Sequence, residues 1–334
     1  MGTSAGAFEA TDPVLSSSVS QGLEEVERRL LEVVVSAHPM LTLTATHLAE
    51  AGGKRFRPLL ALLAAQLGDP RAPGVVDAAV VVELTHLASL YHDDVMDEAD
   101  VRRGAASANA RWTNTVAILT GDYLFARASD LTAGLGTEAT HLQSRTFARL
   151  VEGQIAETAG PADGQDPVEH HLQVLADKTG ALIATSARLG ALMAGASGSD
   201  VDTVTRFGEV IGLAFQLSDD LIDVLSETGE SGKTPGTDLR EGVHTLPVLL
   251  VLAGQDAPGS DGARLRELLT GDLADDERLA EALRLLRAHP ALQQARARLV
   301  SCVDEARSVV GALPEGPARD ALASLTDFVL ARTG

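Results

Sequence analysis

The chain has 334 residues, 45% of them hydrophobic but only 3% aromatic, and a formal net charge of −20. That length can bury a large core built from Ala, Leu and Val, and the abundance of Ala and Leu favours helix. So acidic a chain excludes a basic nucleic-acid face and a polybasic membrane anchor, and its single cysteine, Cys302, excludes an intrachain disulfide and a cysteine metal cluster and fits a reducing compartment.

Residues 1–16, MGTSAGAFEATDPVLS, carry neither a basic nor an apolar targeting segment and are expected to form a disordered leader, followed by a single domain over 17–334. Apolar residues at helical spacing run through GLEEVERRLLEVVVSA, and RPLLALLAAQLG opens on Pro58 and stops at Gly68. GVVDAAVVVELTHLASLYHDDVMDEA reads as one long, almost uninterrupted helix. NTVAILTGDYLFARASDLTAGLG, EATHLQSRTFARLVEGQIAETAG, PVEHHLQVLADKTGALIATSARLGALMAGA and DVDTVTRFGEVIGLAFQLSDDLIDVLSE continue the pattern, and shorter helices complete the C-terminus. Gly/Pro/Asp clusters at 159–167, 229–237 and 255–262 mark loops. No strand pattern is visible, and the runs LLALLAAQL and LPVLLVLAG are too short to span a bilayer. The expectation is an all-α bundle of about ten or more helices.

Two acidic clusters interrupt the apolar pattern. Asp93, Asp94 and Asp97 stand at i, i+1 and i+4, and Asp219, Asp220 and Asp223 repeat that spacing. Carboxylates one helical turn apart repel, and acidic runs are usually solvated faces. Here each follows an apolar run, LASLY or IGLAFQL, where carboxylates need compensating cations. Oxygen-only ligands favour Mg²⁺ or Mn²⁺, and Mg²⁺ readily shares its coordination with phosphate oxygens. Cations are spaced to match: Lys54, Arg55 and Arg57 in GGKRFRP, Arg102 and Arg103 after the first cluster, Lys178 in KTG, and Lys233 in GKTPGTD. Arg offers a fork to phosphate and Lys a point charge. The set points to a metal-bridged phosphate or diphosphate site.

On GGKRFRP, HLASLYHDDVMDEADVRRG, LTGDYLFARA, EGQ, KTG, FQLSDDLIDV and GKTPGTDLREGVHTLP, the chain resembles the trans-isoprenyl diphosphate synthases, the polyprenyl synthetase family. The resemblance spans residues 20–333. It implies the isoprenoid synthase fold, helices around a central cavity, usually as a homodimer. It implies a prenyltransferase of isoprenoid biosynthesis that condenses isopentenyl diphosphate head-to-tail (1′-4) with an allylic diphosphate. The allylic C–O bond ionises, with Mg²⁺ ions, three to an active site and with Mn²⁺ as the alternative, held by Asp93, Asp97 and Asp219. By the same resemblance Asp94, Asp220 and Asp223 support the metals, and Lys178, Lys233 and Arg102 add charge against the allylic diphosphate. Lys54, Arg57, His86 and Arg103 form the isopentenyl diphosphate site, so that the adjacent arginines serve adjacent diphosphates. Gln216, Thr179 and carbonyls near Gly180 stabilise the allylic cation by their dipoles, and the departing diphosphate takes the proton. One departure stands out: EGVHTLP carries Val243 where the family often has a lysine, and His244 beside it reads as a loop histidine.

The growing tail is expected to run down the helix before the first cluster, past Ser89, Ala88, Thr85, Val82, Val81 and Ala78, none of them aromatic. That leaves ~16 Å open below Ala88 and implies a product longer than farnesyl, roughly six to ten isoprene units. Phe125 or Phe147 could close the floor sooner, which would make a short-chain, farnesyl or geranylgeranyl, synthase. A terpene cyclase would usually replace DDLID with an Asn/Ser/Glu triad and lack GGKRFRP. A subunit of a heteromeric synthase would usually lose the aspartates. A di-metal bundle needs two Glu-x-x-His motifs, and ELTH at 83–86 is matched only by EGVH at 241–244, in a Gly-containing turn. With no anchor in view, a cytoplasmic protein without a stable membrane attachment is expected.

Overall fold

Helix starts follow capping chemistry. The Asp12 side chain accepts from the backbone N–H groups of Val14 (3.0 Å) and Leu15 (2.8 Å), and Pro13 sits where its missing N–H costs nothing. The first helix, α1 (Pro13–Val33), therefore begins inside the stretch expected to be leader. The computed structural model describes residues 12–226 and 235–333, so the rest of that leader, residues 1–11, lies outside the described residues, as does Lys233.

After α1 come α2 (Pro39–Glu50), α3 (Phe56–Ala65) and α4 (Val75–Met96). A small hairpin, β1 (Val101–Arg102) and β2 (Ala105–Ala106), leads to α5 (Ala108–Arg111), α6 (Asn114–Leu135), α7 (Thr137–Ala159) and α8 (Pro167–Leu175). A single π turn (Ala176–Gly180) joins α8 to α9 (Ala181–Met193). The chain continues through α10 (Gly198–Leu225), α11 (Thr237–Arg240), α12 (Leu246–Ala253), α13 (Asp261–Leu269), α14 (Asp276–Ala288), α15 (Pro290–Val310) and α16 (Pro317–Ala331). The all-α expectation stands. The hairpin is the exception, and its signal is Arg103-Gly104: with φ of +54° and +76° the two residues make a type I′ turn, which matches strand twist.

The chain divides into two compact units. The first holds the described residues up to Leu150, together with Ala181–Gly208 and Val309–Ser324. Its axis is α4, buried on all sides by α1, α3, α6 and α9. The sequence has few aromatics, so α4 presents Ala78, Ala79, Val80, Val81, Val82 and Ala88, small residues that let neighbouring helices approach closely. Tyr91 is the large exception. It is fully buried, and its hydroxyl donates to the Thr44 carbonyl and accepts from the Leu48 N–H, so no polar atom is stranded. Among the described residues α4 is also long and apolar enough to cross a bilayer, a length the separate apolar runs did not suggest. Most of that apolar window is buried, as in a core helix.

The second unit holds Val151–Gly180, the described part of Glu209–Ser308, and the chain from Leu325 on. There α12, opening on Leu246-Pro247, packs on α8 and α13, and α13 on α14. The capping side chains of Asp166, Ser260 and Asp275 start α8, α13 and α14.

Candidate active site

In the first unit GGKRFRP is a turn before it is a binding motif. Gly52 and Gly53 have positive φ, and Arg55 itself is left-handed at +46° as it caps α3. That bend sends Arg55 inward, where it is 6% exposed. Its Nη1 donates to Glu83 (2.6 Å), its Nε to Glu27 (2.5 Å) and its Nη2 to the Ala49 carbonyl (2.7 Å). Burial disfavours the Arg55 charge, but the hydrogen bond to Glu27 and the charges of Glu83 and Glu27 outweigh it. Arg55 is thus the structural partner of Glu83, which is 2% exposed on α4, and that pairing also removes ELTH from metal duty.

Around the same carboxylate stand residues expected to hold the second diphosphate. Arg103 donates to the carbonyls of Leu48 (3.2 Å) and Gly52 and lies 3.7 Å from Glu83. Arg57 has a buried Nε with no hydrogen-bond partner. Burial, offset by Glu83 and reinforced by Arg103, brings its guanidinium down to about 10. His86, one turn after Glu83, is held well below the ordinary imidazole value by burial and then by Arg57, Arg103, Arg55 and Arg102, so it is neutral at pH 7. Lys54 is exposed at the edge of the turn. Three guanidinium groups around one buried carboxylate leave excess positive charge and an unsatisfied donor. Such a site calls for an anion.

The first aspartate cluster ends α4 in the same unit. Asp94 is fully buried and accepts from Arg102 Nε (2.6 Å), while its Oδ2 is buried without a partner. Burial raises its pKa against the opposing pull of Arg102. Asp93 is half-buried and Asp97 exposed, one turn apart. These are oxygen donors only, as a hard divalent cation requires. Among the described residues no three His, Cys, Asp or Glu side chains gather as a ready-made cage. A cation here would complete its shell with water or phosphate oxygens, and the orphaned Asp94 Oδ2 suits such a hydrated ion. Arg102 and Arg103, neighbours in sequence, part company because one lies on a strand and the other in the left-handed turn.

The second cluster, in the second unit, is tied down at every member. Asp219 pairs with Arg332, whose guanidinium lies 4.3 Å over the Phe215 ring and whose Nη1 is buried without a partner. Asp220 lies 3.2 Å from His171 Nε2 and accepts from the Leu246 N–H (3.4 Å). Asp223 accepts from the N–H groups of Thr237 (3.1 Å) and Asp238 (3.2 Å), holding the start of α11. Gln216 is half-buried on the same helix. Lys178 and Thr179 sit in the π turn, an irregularity common at functional sites. Lys178 Nζ donates to Glu157 (2.5 Å). The EGQ motif has a packing reason: a Cβ on Gly153 would come within 2.8 Å of the Lys178 backbone nitrogen. Val243 and His244 are exposed in the turn before α12.

Sequence reasoning missed Glu83, His171, Glu157 and Arg332. Only Glu83 had a usable signal, a lone charge inside an apolar run.

The residues expected to line the growing tail are packed in the first unit. Ala88, Thr85 and Val82 are at most 1% exposed, the Thr85 hydroxyl donates to the Val81 carbonyl (2.8 Å), and Ser89 is half-buried. Phe125 and Phe147 stack at 4.2 Å between ring centres. Phe147 packs against the core cluster that includes Ala78, Val81, Val82 and Leu182, and the ring of His92 lies 5.7 Å from that of Phe125.

Comparison with known proteins gives a consistent set. The family model described as Polyprenyl synthetase matches residues 38–286. A nonaprenyl diphosphate synthase of Mycobacterium tuberculosis is 49% identical over 97% of this chain and 96% of its own length. A crystal structure of geranylgeranyl pyrophosphate synthase from Corynebacterium glutamicum, complexed with calcium and isoprenyl diphosphate, has TM-score 0.88 and 46% identity over 98% of this chain and all of its own. A decaprenyl diphosphate synthase structure from Rhodobacter capsulatus has TM-score 0.85 and 34% identity, covering 96% of this chain and 98% of that one.

Proposed function

The chain belongs to the polyprenyl synthetase family and is a prenyl-transferring enzyme, and from that premise we propose that it condenses isopentenyl diphosphate head-to-tail with an allylic diphosphate, in the presence of Mg²⁺, to give a trans-polyprenyl diphosphate longer than farnesyl. The observation that carries this reading is the cation cluster around Glu83, with its buried, unpartnered Arg57 Nε. It makes a diphosphate receptor from α3 and the hairpin around a carboxylate of α4, the helix that ends in Asp93, Asp94 and Asp97.

Each side chain then has a task. Arg57, Arg103 and Lys54 bind the diphosphate of isopentenyl diphosphate, and neutral His86 donates a hydrogen bond without adding to the crowded positive charge. Asp93, Asp97 and Asp219 would hold divalent ions, which would neutralise the charge of the leaving diphosphate. Asp94, Asp220 and Asp223 fix the supporting geometry. The Lys178–Glu157 pair is partly exposed and worth ~0–1 kcal/mol, so Lys178 can exchange Glu157 for a phosphate oxygen. Arg102, with one guanidinium edge on Asp94, offers the other to the allylic diphosphate, as does Lys233. Thr179 and Gln216 turn their dipoles to the cation. A cytoplasmic homodimer completes the reading, and light scattering of the purified chain tests the dimer.

Product length has two readings. The relative named nonaprenyl diphosphate synthase supports a long chain. The Phe125–Phe147 stack is the observation that would support a shorter product, as would the neighbour named geranylgeranyl pyrophosphate synthase. Purified protein incubated with Mg²⁺, labelled isopentenyl diphosphate and, separately, dimethylallyl, geranyl, farnesyl and geranylgeranyl diphosphate decides between them. A ladder well past twenty carbons supports the long-chain reading, and the aromatic stack must then move aside. A stop at fifteen or twenty carbons puts a floor in the tunnel, and substitutions of Phe125 and Phe147 then test whether they form it. No Mg²⁺-dependent elongation with any primer would sink the proposal.

A further inference from the structure

The hairpin that carries Arg102 and Arg103 is two residues per strand, too short to hold itself together in water. Its tip also places Arg103, a residue with a Cβ, at φ +54°, which costs roughly 1 kcal/mol. Contacts from outside must therefore impose its shape. At the base, the Ser107 hydroxyl and the Asn109 amide (3.0 Å) donate to the Ala99 carbonyl and close the loop. On β2 the contact comes from His47, in the last turn of α2. Its Nε2 lies 2.7 Å from the Ala106 carbonyl oxygen, and its Nδ1 lies 3.1 Å from Arg111 Nη1. A guanidinium can only donate, so Nδ1 accepts and Nε2 carries the proton. The two contacts together fix the orientation of the ring between β2 and α5. Trp112 stands edge-on to the His47 ring at 5.1 Å, and Arg111 lies over the Trp112 ring at 4.7 Å.

The next residue along α2, Leu48, presents its carbonyl to Arg103 Nη1. One turn of α2 thus grips the hairpin twice, at β2 through the His47 ring and at the tip through the Leu48 carbonyl. Ala106 pairs with Val101, and the following pair, Arg102 with Ala105, closes directly onto the Arg103-Gly104 turn. A shift at Ala106 therefore passes to Arg103 within one step of the ladder. We propose that His47 is a positioning residue for the prenyl-transfer reaction: by fixing β2 it sets Arg103 for the diphosphate of isopentenyl diphosphate. The proposal rests on the assignment of Arg103 to that diphosphate.

The test is calorimetric titration of the full chain with isopentenyl diphosphate alone, with no allylic substrate and hence no turnover. The proteins are wild type, His47→Ala, His47→Gln and Arg103→Gln. His47→Ala should weaken binding about tenfold, the worth of one well-placed hydrogen bond. Glutamine can donate to the Ala106 carbonyl and accept from Arg111, so His47→Gln should recover most of the loss. In steady-state assays the KM for isopentenyl diphosphate should follow the same order, while kcat at saturation stays within about twofold. Unchanged binding in His47→Ala, with Arg103→Gln weakened, overturns the role of His47 and leaves the diphosphate site standing. A His47→Gln variant as weak as His47→Ala also overturns it, since the hydrogen bonds would then not be the cause. Unchanged binding in Arg103→Gln instead removes Arg103 from the site, and the proposal falls with that assignment.

Discussion

The two aspartate clusters share a spacing but not a workload. At the end of α4 Asp94 is committed to a cation of the chain, Arg102, while Asp97 is exposed. On α10 all three members pin other segments: Asp219 holds Arg332, Asp220 meets His171 and the start of α12, and Asp223 holds the start of α11. In the first unit the structural burden has moved to another carboxylate of the same helix, Glu83, buried against Arg55. Identical letters can thus end a helix with an exposed side chain, as at Asp97, or tie down other segments, as at Asp223. The difference lies in what the rest of the chain brings to each carboxylate.

Substitutions should separate the two duties. Asp97→Asn should lower kcat by roughly 10³-fold while leaving the thermal melt unchanged, because the side chain carries chemistry rather than packing. Steady-state elongation and calorimetric melting check it, and a large drop in melting temperature would erase the contrast. Glu83→Gln should cost ~3 kcal/mol of stability, because Arg55 loses its buried counter-charge and keeps only the part-exposed Glu27. Urea unfolding reads this directly. Asp223→Ala should cost ~1–2 kcal/mol, the value of an acceptor lost from the N–H groups of Thr237 and Asp238. No loss in urea unfolding would show that the second cluster is not a clamp.

The smallest effect is on pH dependence. His86 has its native pKa held well below 6.5, so below that pH the unfolded chain takes up a proton that the folded chain refuses. Its contribution to stability is therefore present above pH 6.5 and is lost as pH falls toward the native value, at up to ~1.4 kcal/mol per pH unit. Wild type should lose about 1 kcal/mol more than His86→Gln between pH 6.5 and 5.5. Parallel curves would mean that the arginines do not crowd His86.

Much of this organisation is legible in the sequence, because the helices and the aspartate spacing are local patterns. RFR shows two arginines equally. Which one turns inward depends on the left-handed bend at Arg55 and on Glu27 and Glu83, each 28 residues away. Arg332 is unremarkable in LARTG, since its partner Asp219 is 113 residues distant. Nothing in ADKTG separates a π turn from an α turn. The leader was drawn too long because the Ser-rich stretch after Pro13 hides a helix whose apolar face is Leu15, Val19 and Val26. Ala88 and Ser89 are small, but small residues invite a neighbour as readily as they leave a channel, and the stacked Phe125 and Phe147 come from other helices.

The π turn between α8 and α9 acts as a phase shifter. A π turn holds one residue more than an α turn, so the helix that leaves it is rotated by about 100° from the course it would otherwise have kept. In the second unit α8 packs on α12, and in the first unit α9 packs on α3 and α4. Deleting one residue from Ala176–Gly180 would tidy the backbone and swing the buried row of Leu182, Ile183, Ser186 and Leu189 out of register with α3 and α4. Lys178 and Thr179 occupy the place that this turn creates.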